Sequence, residues 1–478
     1  MLRYLYAKEI QLSLRSVRFV IALAIVMVGF AVSGIVGSAS YHNQLTEYRQ
    51  RQAEATRNLM DQMGGLNNVA VYQQAALLPP SKYPYIRDLS ITRLPECVLV
   101  NAARHQEMEK VLRSNPLLYA TEAFTWQFIL AAIGGFIAIL LSYDSVAEER
   151  RQGTISLIFS NPINRWKLIT GKLLALITIN AVLIAAGILL SLLILSFSGV
   201  PVLSSDALAT TAAFLGFAIL YAAFVTALGL LVSTMTRTPS LALTALFFIW
   251  VTFSIIFPSA ARITAGAMQS IPTPDERERE IDQAIDEIMD ENNNTRPTVN
   301  GSQIVNYSRI PFTAVETHVA NGIVRAIEAA GRLQQKHENL MFDQGYFGLD
   351  LARWSPVELF RESVAKLTDS DIDRWRRFLT EVEIYRRELG SAVSALDSRD
   401  PNSPHVYFQD HVSIWISLRP VEDATQIPRF EMREPPFSDR LAGALLPAAW
   451  LFIWTVIAVL LAVIVFMMVD LRQQQTSS

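Results

Sequence analysis

The sequence contains very little cysteine and little charge. Of its 478 residues one is cysteine, Cys97, and 18% are charged, whereas 51% are hydrophobic. A single cysteine excludes an intramolecular disulfide and a zinc site built on several thiolates. The formal net charge of −3 offers no general attraction for nucleic acid, which argues against a DNA- or RNA-binding protein. The high apolar content also excludes a disordered chain.

Signatures of common enzymes are missing as well. A phosphate-binding loop is absent, because Leu173 follows Gly171 and Lys172 and because Trp166 stands where the first glycine is required. Neither H-E-x-x-H nor G-x-S-x-G occurs, so a zinc protease and a nucleophile-elbow hydrolase lack their markers. We therefore expect no catalytic residue in this chain.

The histidines give little support for a metal site. The sequence has six, all outside the long apolar runs: His42, His105, His318, His337, His405 and His411. Only His405 and His411 are near each other in sequence. Copper or zinc ligation by this pair is one interpretation, and ordinary surface or core histidines are the other. We expect no metal ligands.

Long runs without Asp, Glu, Lys or Arg decide the class of the protein. Six runs approach or exceed the 20 or so residues that a helix needs to cross a bilayer: 19–39, 123–141, 173–197, 207–235, 239–261 and 441–469. The sequence therefore predicts an α-helical integral membrane protein with six transmembrane helices. The first run exceeds the core of a signal peptide, so we expect a retained span.

Residues 1–18 alternate apolar and basic side chains. This pattern is typical of an amphipathic helix lying on an anionic membrane surface, although an ordinary positive flank without a helix gives the same composition. Lys and Arg are concentrated in this leader, in loop 142–172 and in tail 470–478, whereas loop 198–206 has none. By the positive-inside rule both termini are cytoplasmic.

This orientation places two long segments outside the membrane, 40–122 and 262–440. With no disulfide available, they need an apolar core of their own. Apolar spacing predicts helices at 44–63, at 97–113 and through 355–396, where Ser355-Pro356 and Ser370 with Asp373 are candidate helix starts. Residues 292–302 resemble a polar loop, and 412–418 alternate like a short strand. We expect a mainly α-helical outer domain with minor β structure.

The six runs contain no ionisable side chains, which ion-coupled transporters and proton relays normally place in the bundle. Energy for any transport must then arrive from outside the bundle, and the loop 142–172 is the one substantial cytoplasmic feature that can receive it. Gly153 and Thr154 are expected to start a short helix that Asn161-Pro162 ends. Such a helix can dock into a groove of a soluble partner, or the loop can lie in the membrane interface.

The residues of this loop resemble those of a known family. Tyr143, Asp144, Glu149, Arg150, Gly153, Thr154, Asn161, Pro162, Arg165, Gly171 and Lys172 are similar to the loop pattern of type-2 ABC transporter permeases, with spacing kept over thirty residues. Arg151 departs from that pattern, which usually has an acid there. Residues 354–389 and 427–430 resemble the branch with large extracytoplasmic insertions, grouped with permeases of multicopper-enzyme maturation and gliding-motility systems.

The resemblance implies a multi-pass permease in a bacterial cytoplasmic (inner) membrane. Two permease chains would pair above two separate ATP-binding subunits, which hold ATP and Mg, so that this chain carries no cofactor itself. The implied coupling residues are Glu149, Arg150, Gly153 and Thr154, with Ile155 and Phe159 as apolar contacts.

The cargo of such an exporter is expected to be amphipathic, lipid-like or peptide. Three alternatives stay open on the sequence. The first is mechanotransmission, in which the outer domain acts on an extracytoplasmic partner and no cargo crosses. The second is a membrane receptor or scaffold without ATPase coupling. The third is metal delivery to an outer enzyme.

Overall fold

The computed structural model describes residues 2–86, 96–102, 107–108, 124–153, 164–298, 301, 314–403, 406–410 and 413–468. This part of the chain is mostly helical, and six of its helices are long and apolar enough to cross a membrane. They are Val17–Gln62, Trp126–Arg151, Arg165–Phe197, Ser205–Met235, Pro239–Met268 and Phe437–Met468. The prediction of an α-helical membrane protein with six spans is therefore confirmed.

We number the described helices in chain order. α1 (Leu2–Leu14) precedes the first span, α2 (Val17–Gln62), and α3 (Leu66–Val71) follows it. The second span, α4, consists of Trp126–Phe128, a π turn at Ile129–Gly134, and Gly135–Ser142, and a turn leads on to α5 (Ala147–Arg151). Next come α6 (Arg165–Phe197), α7 (Ser205–Met235) and α8, which runs through Pro239–Val251, a π turn at Thr252–Ile256, and Phe257–Met268. The last five are α9 (Pro274–Asn294), α10 (Ala314–Ala352), α11 (Pro356–Leu367), α12 (Ile372–Asp397) and the sixth span, α13 (Phe437–Met468).

Five short strands are described. β1 (Gln74–Leu77), β2 (Cys97–Val100) and β3 (Glu107–Met108) form an antiparallel sheet in that order, and β4 (Val406–Asp410) pairs with β5 (Ser413–Trp415). The predicted helix over 97–113 is wrong at its start, because Cys97–Val100 pairs with β1 across a long chain separation that local periodicity does not register. The predicted strand within 412–418 is confirmed for Ser413–Trp415 only.

Several helices extend beyond the limits set by the first charged residue. α6 begins at Arg165, so the last eight residues of the predicted loop 142–172 are helical instead. Charged side chains outside the hydrocarbon layer do not end a helix, which explains the difference. α2 continues through the predicted outer helix as one helix of 46 residues. α9 likewise runs to Asn294, into the polar stretch predicted to be a loop from residue 292.

The membrane bundle is held together by close helix packing. α2 packs on α6, and α7 packs on α4, α6 and α13. A Cβ atom at Gly187 of α6 would lie 2.5 Å from the ring of Phe30 on α2, and one at Gly229 of α7 would lie 1.9 Å from the Ser142 hydroxyl. Glycine at these two crossings lets the helices approach to a distance that a side chain would prevent.

The two long segments predicted to lie outside the membrane pack against each other. In one apolar cluster, Leu59 and Val69 of the first segment pack with Leu389 and Val393 of α12. In a second cluster, the β1–β2 sheet packs against aromatic residues of α10 and α12; its members include Ala76, Val98, Val100, Phe342, Trp375 and Phe378. Residues far apart in sequence thus form an apolar core for these segments. Such a core is needed because a single cysteine cannot form an intramolecular disulfide.

Candidate functional site

α5 is the first helix within the loop between the second and third spans, and it is held against α7. The backbone N–H groups of Val146 and Ala147 both donate to the hydroxyl of Ser233, each at 3.1 Å. Ser233 is fully buried near the end of α7. Since the first N–H groups of a helix have no partner within it, this hydroxyl from another span caps α5 and fixes its position.

Lys172 joins three elements at this point. Its ammonium nitrogen lies 2.7 Å from a carboxylate oxygen of Glu149 on α5 and 2.8 Å from one of Glu9 on α1. The Lys172 side chain is only 4% exposed, and the two carboxylates are partly exposed. A buried ammonium needs compensating charge, and two carboxylates supply it here. We call Glu9, Glu149 and Lys172 the lysine node.

Arg150 lies next to the node and holds the end of α7. Its guanidinium donates to the carbonyl oxygens of Thr234 at 2.9 Å and Thr236 at 3.1 Å. These are carbonyls at the C-terminus of a helix, where intrahelical donors run out and where a cation is favoured. Arg150 therefore acts within this chain, locking α5 to α7.

Arg151, the departure from the family pattern, is turned toward solvent. It donates to Glu148 on the same helix through Nε at 2.9 Å and Nη2 at 2.6 Å. The Arg151 side chain is 60% exposed. Together Glu148 and Arg151 form an exposed ion pair that accompanies the lysine node.

Gly153 follows the C-terminal end of α5, and the helix predicted to start at Gly153 and Thr154 falls on residues outside the described part of the chain. The φ of Gly153 is +70°, in the left-handed region, and its N–H donates to the carbonyl of Arg150 at 3.1 Å. No atom lies within 4 Å of a Cβ placed there, so a side chain would meet no steric clash. Glycine is favoured at this position by the backbone conformation alone. Thr154, Ile155, Phe159, Asn161 and Pro162 lie outside the described residues.

The remaining predicted loop residues pack between helix ends. Arg18 at the start of α2 forms an ion pair with Asp144 and lies over the ring of Tyr143, with its guanidinium carbon 5.2 Å from the ring centroid. Gly171 faces α1, where a Cβ would lie 3.4 Å from that of Leu5. Arg165 donates to the carbonyl of Met467 on α13 at 3.0 Å. The structure thus brings the described motif residues to one end of the bundle.

Three residues of this site were missed by sequence reasoning: Glu9, Arg18 and Ser233. Glu9 carried a signal, because it is the only acidic residue in the first 18. A lone acid in a basic leader implies a specific cationic partner. Ser233 carried none, since an uncharged hydroxyl in an apolar span gives no sequence cue to its contacts.

The family model for ABC-2 family transporter proteins matches residues 3–328. The chain belongs to this family. The matched range contains the whole lysine node, the first five spans and the start of α10. A search of curated proteins gave no match.

Membership establishes the chain as the transmembrane permease component of an ABC transporter, and its spans make it a multi-pass membrane protein. The resemblance to type-2 ABC permeases is thereby confirmed. Permeases of this family typically leave ATP hydrolysis to another chain.

Metal-binding residues are not gathered in the described part of this ABC-2 permease, where no group of three or more His, Cys, Asp or Glu side chains could hold an ion. His405 and His411 lie outside the described residues. The bundle interior of one chain contains a cavity of only about 10 Å³, beside Phe30, Asn180 and Tyr221, room for one water at most.

Proposed function

We propose that this chain is the permease subunit of an ATP-driven exporter, which couples ATP hydrolysis in a separate ATP-binding subunit to movement of its spans. The lysine node is the observation that carries the proposal. A force on the loop that follows Gly153 reaches α5, and from α5 it reaches α1 and α6 through Lys172 and α7 through Arg150. Three helices, α1, α6 and α7, are thus engaged by one short element.

The site residues have two kinds of role in this proposal. Glu149, Arg150 and Gly153 are positioning residues that hold α5 and aim the loop. Thr154, Ile155 and Phe159 contact the ATP-binding subunit, which holds ATP and Mg, in a groove of its surface. The exposed Glu148–Arg151 pair offers that subunit a polar contact at the rim of the same surface.

We further propose that two permease chains pair in the complex, in a bacterial inner membrane with both termini in the cytoplasm. The cargo is amphipathic, lipid-like or peptide, in keeping with spans that lack charge. The mass of the purified complex in mild detergent tests the pairing. A complex of two permease chains and two ATP-binding subunits is expected. A complex with a single permease chain would refute the pairing.

The first experiment is purification of the chain from its native membrane in mild detergent, with its companions identified by mass spectrometry and the complex assayed for ATP hydrolysis. An ATP-binding subunit with vanadate-sensitive activity is expected. If none copurifies and none encoded beside the gene binds on coexpression, the receptor or scaffold function takes the place of this one.

Two variants test the role of α5. Glu149→Lys places a second cation against Lys172, and Gly153→Pro is incompatible with a positive φ. Both are expected to leave ATP hydrolysis running while stimulation by cargo or movement of the spans is lost. Glu47→Lys is the control, because Glu47 is 60% exposed on the outer part of α2. Normal coupling in both α5 variants would refute the assignment.

Mechanotransmission is the second candidate, and the packing of α11 favours it. This helix lies in the chain between two helices of the outer domain, yet its apolar side chains belong to the core of the membrane bundle. Movement of the bundle then moves the outer domain whether or not cargo crosses. Transport of labelled cargo candidates into sealed vesicles distinguishes the two functions.

A further inference from the structure

α11 is the part of the outer segment that is built into the membrane bundle. Five of its apolar residues are at most 3% exposed and belong to the bundle core: Val357, Leu359, Phe360, Val364 and Leu367. Their neighbours come from α4, α7, α8 and α13. The preceding helix α10 and the following helix α12 instead contribute to the outer core through Phe342 and Phe378.

The N-terminus of α11 lies below the outer membrane surface. The hydroxyl of Ser355, its N-cap, donates to the carbonyl of Phe253 in α8 at 2.7 Å. At 1.5 Å per residue Phe253 lies about 21 Å along α8 from its cytoplasmic end, whereas the hydrocarbon core is about 30 Å thick. Deeper in the contact, Phe360 stacks on Tyr221 of α7 with ring centroids 5.0 Å apart.

Both described π turns of the spans contact α11. A π turn shifts the backbone hydrogen bonds and leaves a carbonyl in need of a donor. In α8 the carbonyl of Phe253 receives the Ser355 hydroxyl, and in α4 the carbonyl of Ala131 receives the Tyr221 hydroxyl at 3.0 Å. Since π turns allow a local change of helix register, α4 and α8 are the neighbouring spans equipped to rearrange against α11.

The C-terminus of α11 is held by a buried cation. Arg440 of α13, whose side chain is 5% exposed, donates to the carbonyl of Leu367 at 3.1 Å and pairs with Asp206 of α7 at 2.5 Å. A guanidinium at a helix C-terminus satisfies carbonyls that lack an intrahelical partner. α11 is therefore pinned at both ends, by Ser355 to α8 and by Arg440 to α13 and α7.

A short, braced connection joins α11 to the outer domain. Lys366 near the end of α11 pairs with Asp371 at 3.2 Å and Asp373 at 2.9 Å, both at the start of α12. The N–H of Ser370 donates to the carbonyl of Ala365 at 2.8 Å. These contacts leave few degrees of freedom between α11 and the helix that carries the outer core.

We propose that α11 is the element through which rearrangement of the membrane bundle moves the outer domain, with Ser355 and Arg440 as the positioning residues that engage it. The proposal rests on ATP-driven movement of the spans as proposed above. It assigns to the outer domain a movement that follows the ATP cycle, whether the domain then releases cargo or acts on an outer partner.

Hydrogen–deuterium exchange of the permease with its ATP-binding subunit in lipid nanodiscs tests this proposal. Uptake is compared between the nucleotide-free and vanadate-trapped complexes. In the wild type we expect trapping to change uptake in the cytoplasmic residues 142–153 and also in α12. In Ser355→Ala and Arg440→Gln the change in residues 142–153 is expected to stay while the change in α12 is lost.

Matched controls keep the result interpretable. Ser363→Ala also removes a buried hydroxyl from α11, but this hydroxyl donates to Leu359 within the helix, so the α12 response should survive. Arg440→Lys keeps the charge beside Asp206 and should restore part of the response. ATP hydrolysis by each complex confirms that the variant folds and assembles.

The possible outcomes separate the two proposals. The role of α11 is overturned if the change of uptake in α12 survives both Ser355→Ala and Arg440→Gln. It is also overturned if trapping changes uptake in residues 142–153 of the wild type but not in α12. Absence of ATP hydrolysis and of any response in residues 142–153 of the wild type overturns the proposed function itself.

Discussion

At the scale of single residues, Lys172 is a buried cation that connects three helices. An ammonium that is 4% exposed is stabilised only by its partners, and Glu9 and Glu149 come from different helices. The contact therefore holds only when α1, α5 and α6 are in register. The lysine node therefore stabilises this arrangement of the three helices and is broken when one of them moves.

Replacement of Lys172 by methionine is expected to cost about 3 kcal/mol of the free energy of unfolding, because two carboxylates would then face each other without a cation. The unfolding midpoint of the purified chain in detergent measures the loss. Adding Glu149→Gln should recover part of it, since one charge is removed.

Lys167→Met is the matched control for this prediction. Lys167 lies on the same helix, with its nitrogen 5.6 Å from the Trp166 ring centroid. Its loss leaves no buried carboxylate behind and should have little effect. Equal destabilisation by the two lysine variants would contradict the importance of the node.

Asp371 and Asp373 predict a pH dependence of stability in the outer domain. Burial, together with the charge of Asp373, raises the pKa of Asp371 to about 6. Although burial opposes it, hydrogen bonds from Tyr346 and Lys366 hold the pKa of Asp373 at about 2. The folded chain therefore binds a proton at Asp371 at a pH where the unfolded chain does not.

The sign follows from this difference in proton binding. The contribution of Asp371 to stability is complete below its unfolded pKa of about 4 and is lost as the pH rises through about 6. Between pH 7 and pH 5 the wild type should gain about 1 kcal/mol relative to Asp371→Asn, which keeps the N-cap of α12. Thermal unfolding of both proteins at both pH values measures the gain. An equal change in stability for the wild type and Asp371→Asn would refute the prediction.

At the scale of elements, the hairpin of α10 and α11 has its tip beside the middle of α8, and we expect this tip to lie in lipid. Trp354 at its tip is 66% exposed, and Ile255 and Ile256 of α8, next to the Phe253 carbonyl that holds the hairpin, are 55% and 56% exposed. Exposed apolar side chains beside the middle of a candidate span favour contact with lipid, and a tryptophan suits a position near the membrane interface.

A nitroxide at Trp354→Cys, in a Cys97→Ala background, is expected to be accessible to oxygen and shielded from a water-soluble nickel complex. Leu189→Cys on α6, 65% exposed, provides the lipid reference, and Arg387→Cys on α12, 71% exposed, provides the aqueous one. If the nickel complex reached Trp354→Cys as readily as Arg387→Cys, the tip would lie in water. That result would contradict the placement of the hairpin tip in lipid.

Elements differ in how far the sequence determines them. The start of α11 was readable, because Ser355 caps it and Pro356 occupies its first turn as predicted. The start of α12 was read one residue early: Asp371, not Ser370, accepts the capping hydrogen bond from Arg374. Neighbouring polar residues offer equivalent caps in sequence, and only the packed turn selects one.

The placement of α11 was not readable at all. Its apolar spacing predicted a buried face but not which core receives it. The same applies to Cys97–Val100, whose short apolar run fits a helix or a strand until its partner strand is known. Local patterns predict that a face is buried, and long-range contacts decide where.

At the scale of the whole molecule, the two outer segments depend on each other. Arg374 of α12, 6% exposed, donates to the carbonyl of Pro79 in the first segment at 2.6 Å and to that of Asp369 at 3.1 Å. The sequence predicted two outer segments with an apolar core but gave no register between them. That register comes from contacts across nearly three hundred residues.

Arg374→Gln is expected to loosen both segments together, at a cost of about 2 kcal/mol, because it leaves partly buried carbonyls without their donor. Hydrogen exchange should rise in residues 74–86 as well as in α12. Arg387→Gln, at an exposed position of the same helix, is the control. A rise confined to α12 would show that the segments are held together by other contacts alone.

The uninterrupted helix α2 gives the molecule a long arm. Its N-terminal end is tied to Asp144 through Arg18, and its C-terminal end packs through Leu59 with α12. With 46 residues it is about 70 Å long, so a tilt of about 5° about one end displaces the other by about 6 Å. A small angular change at the Arg18 end would thus be magnified into a displacement of several ångströms at the Leu59 end.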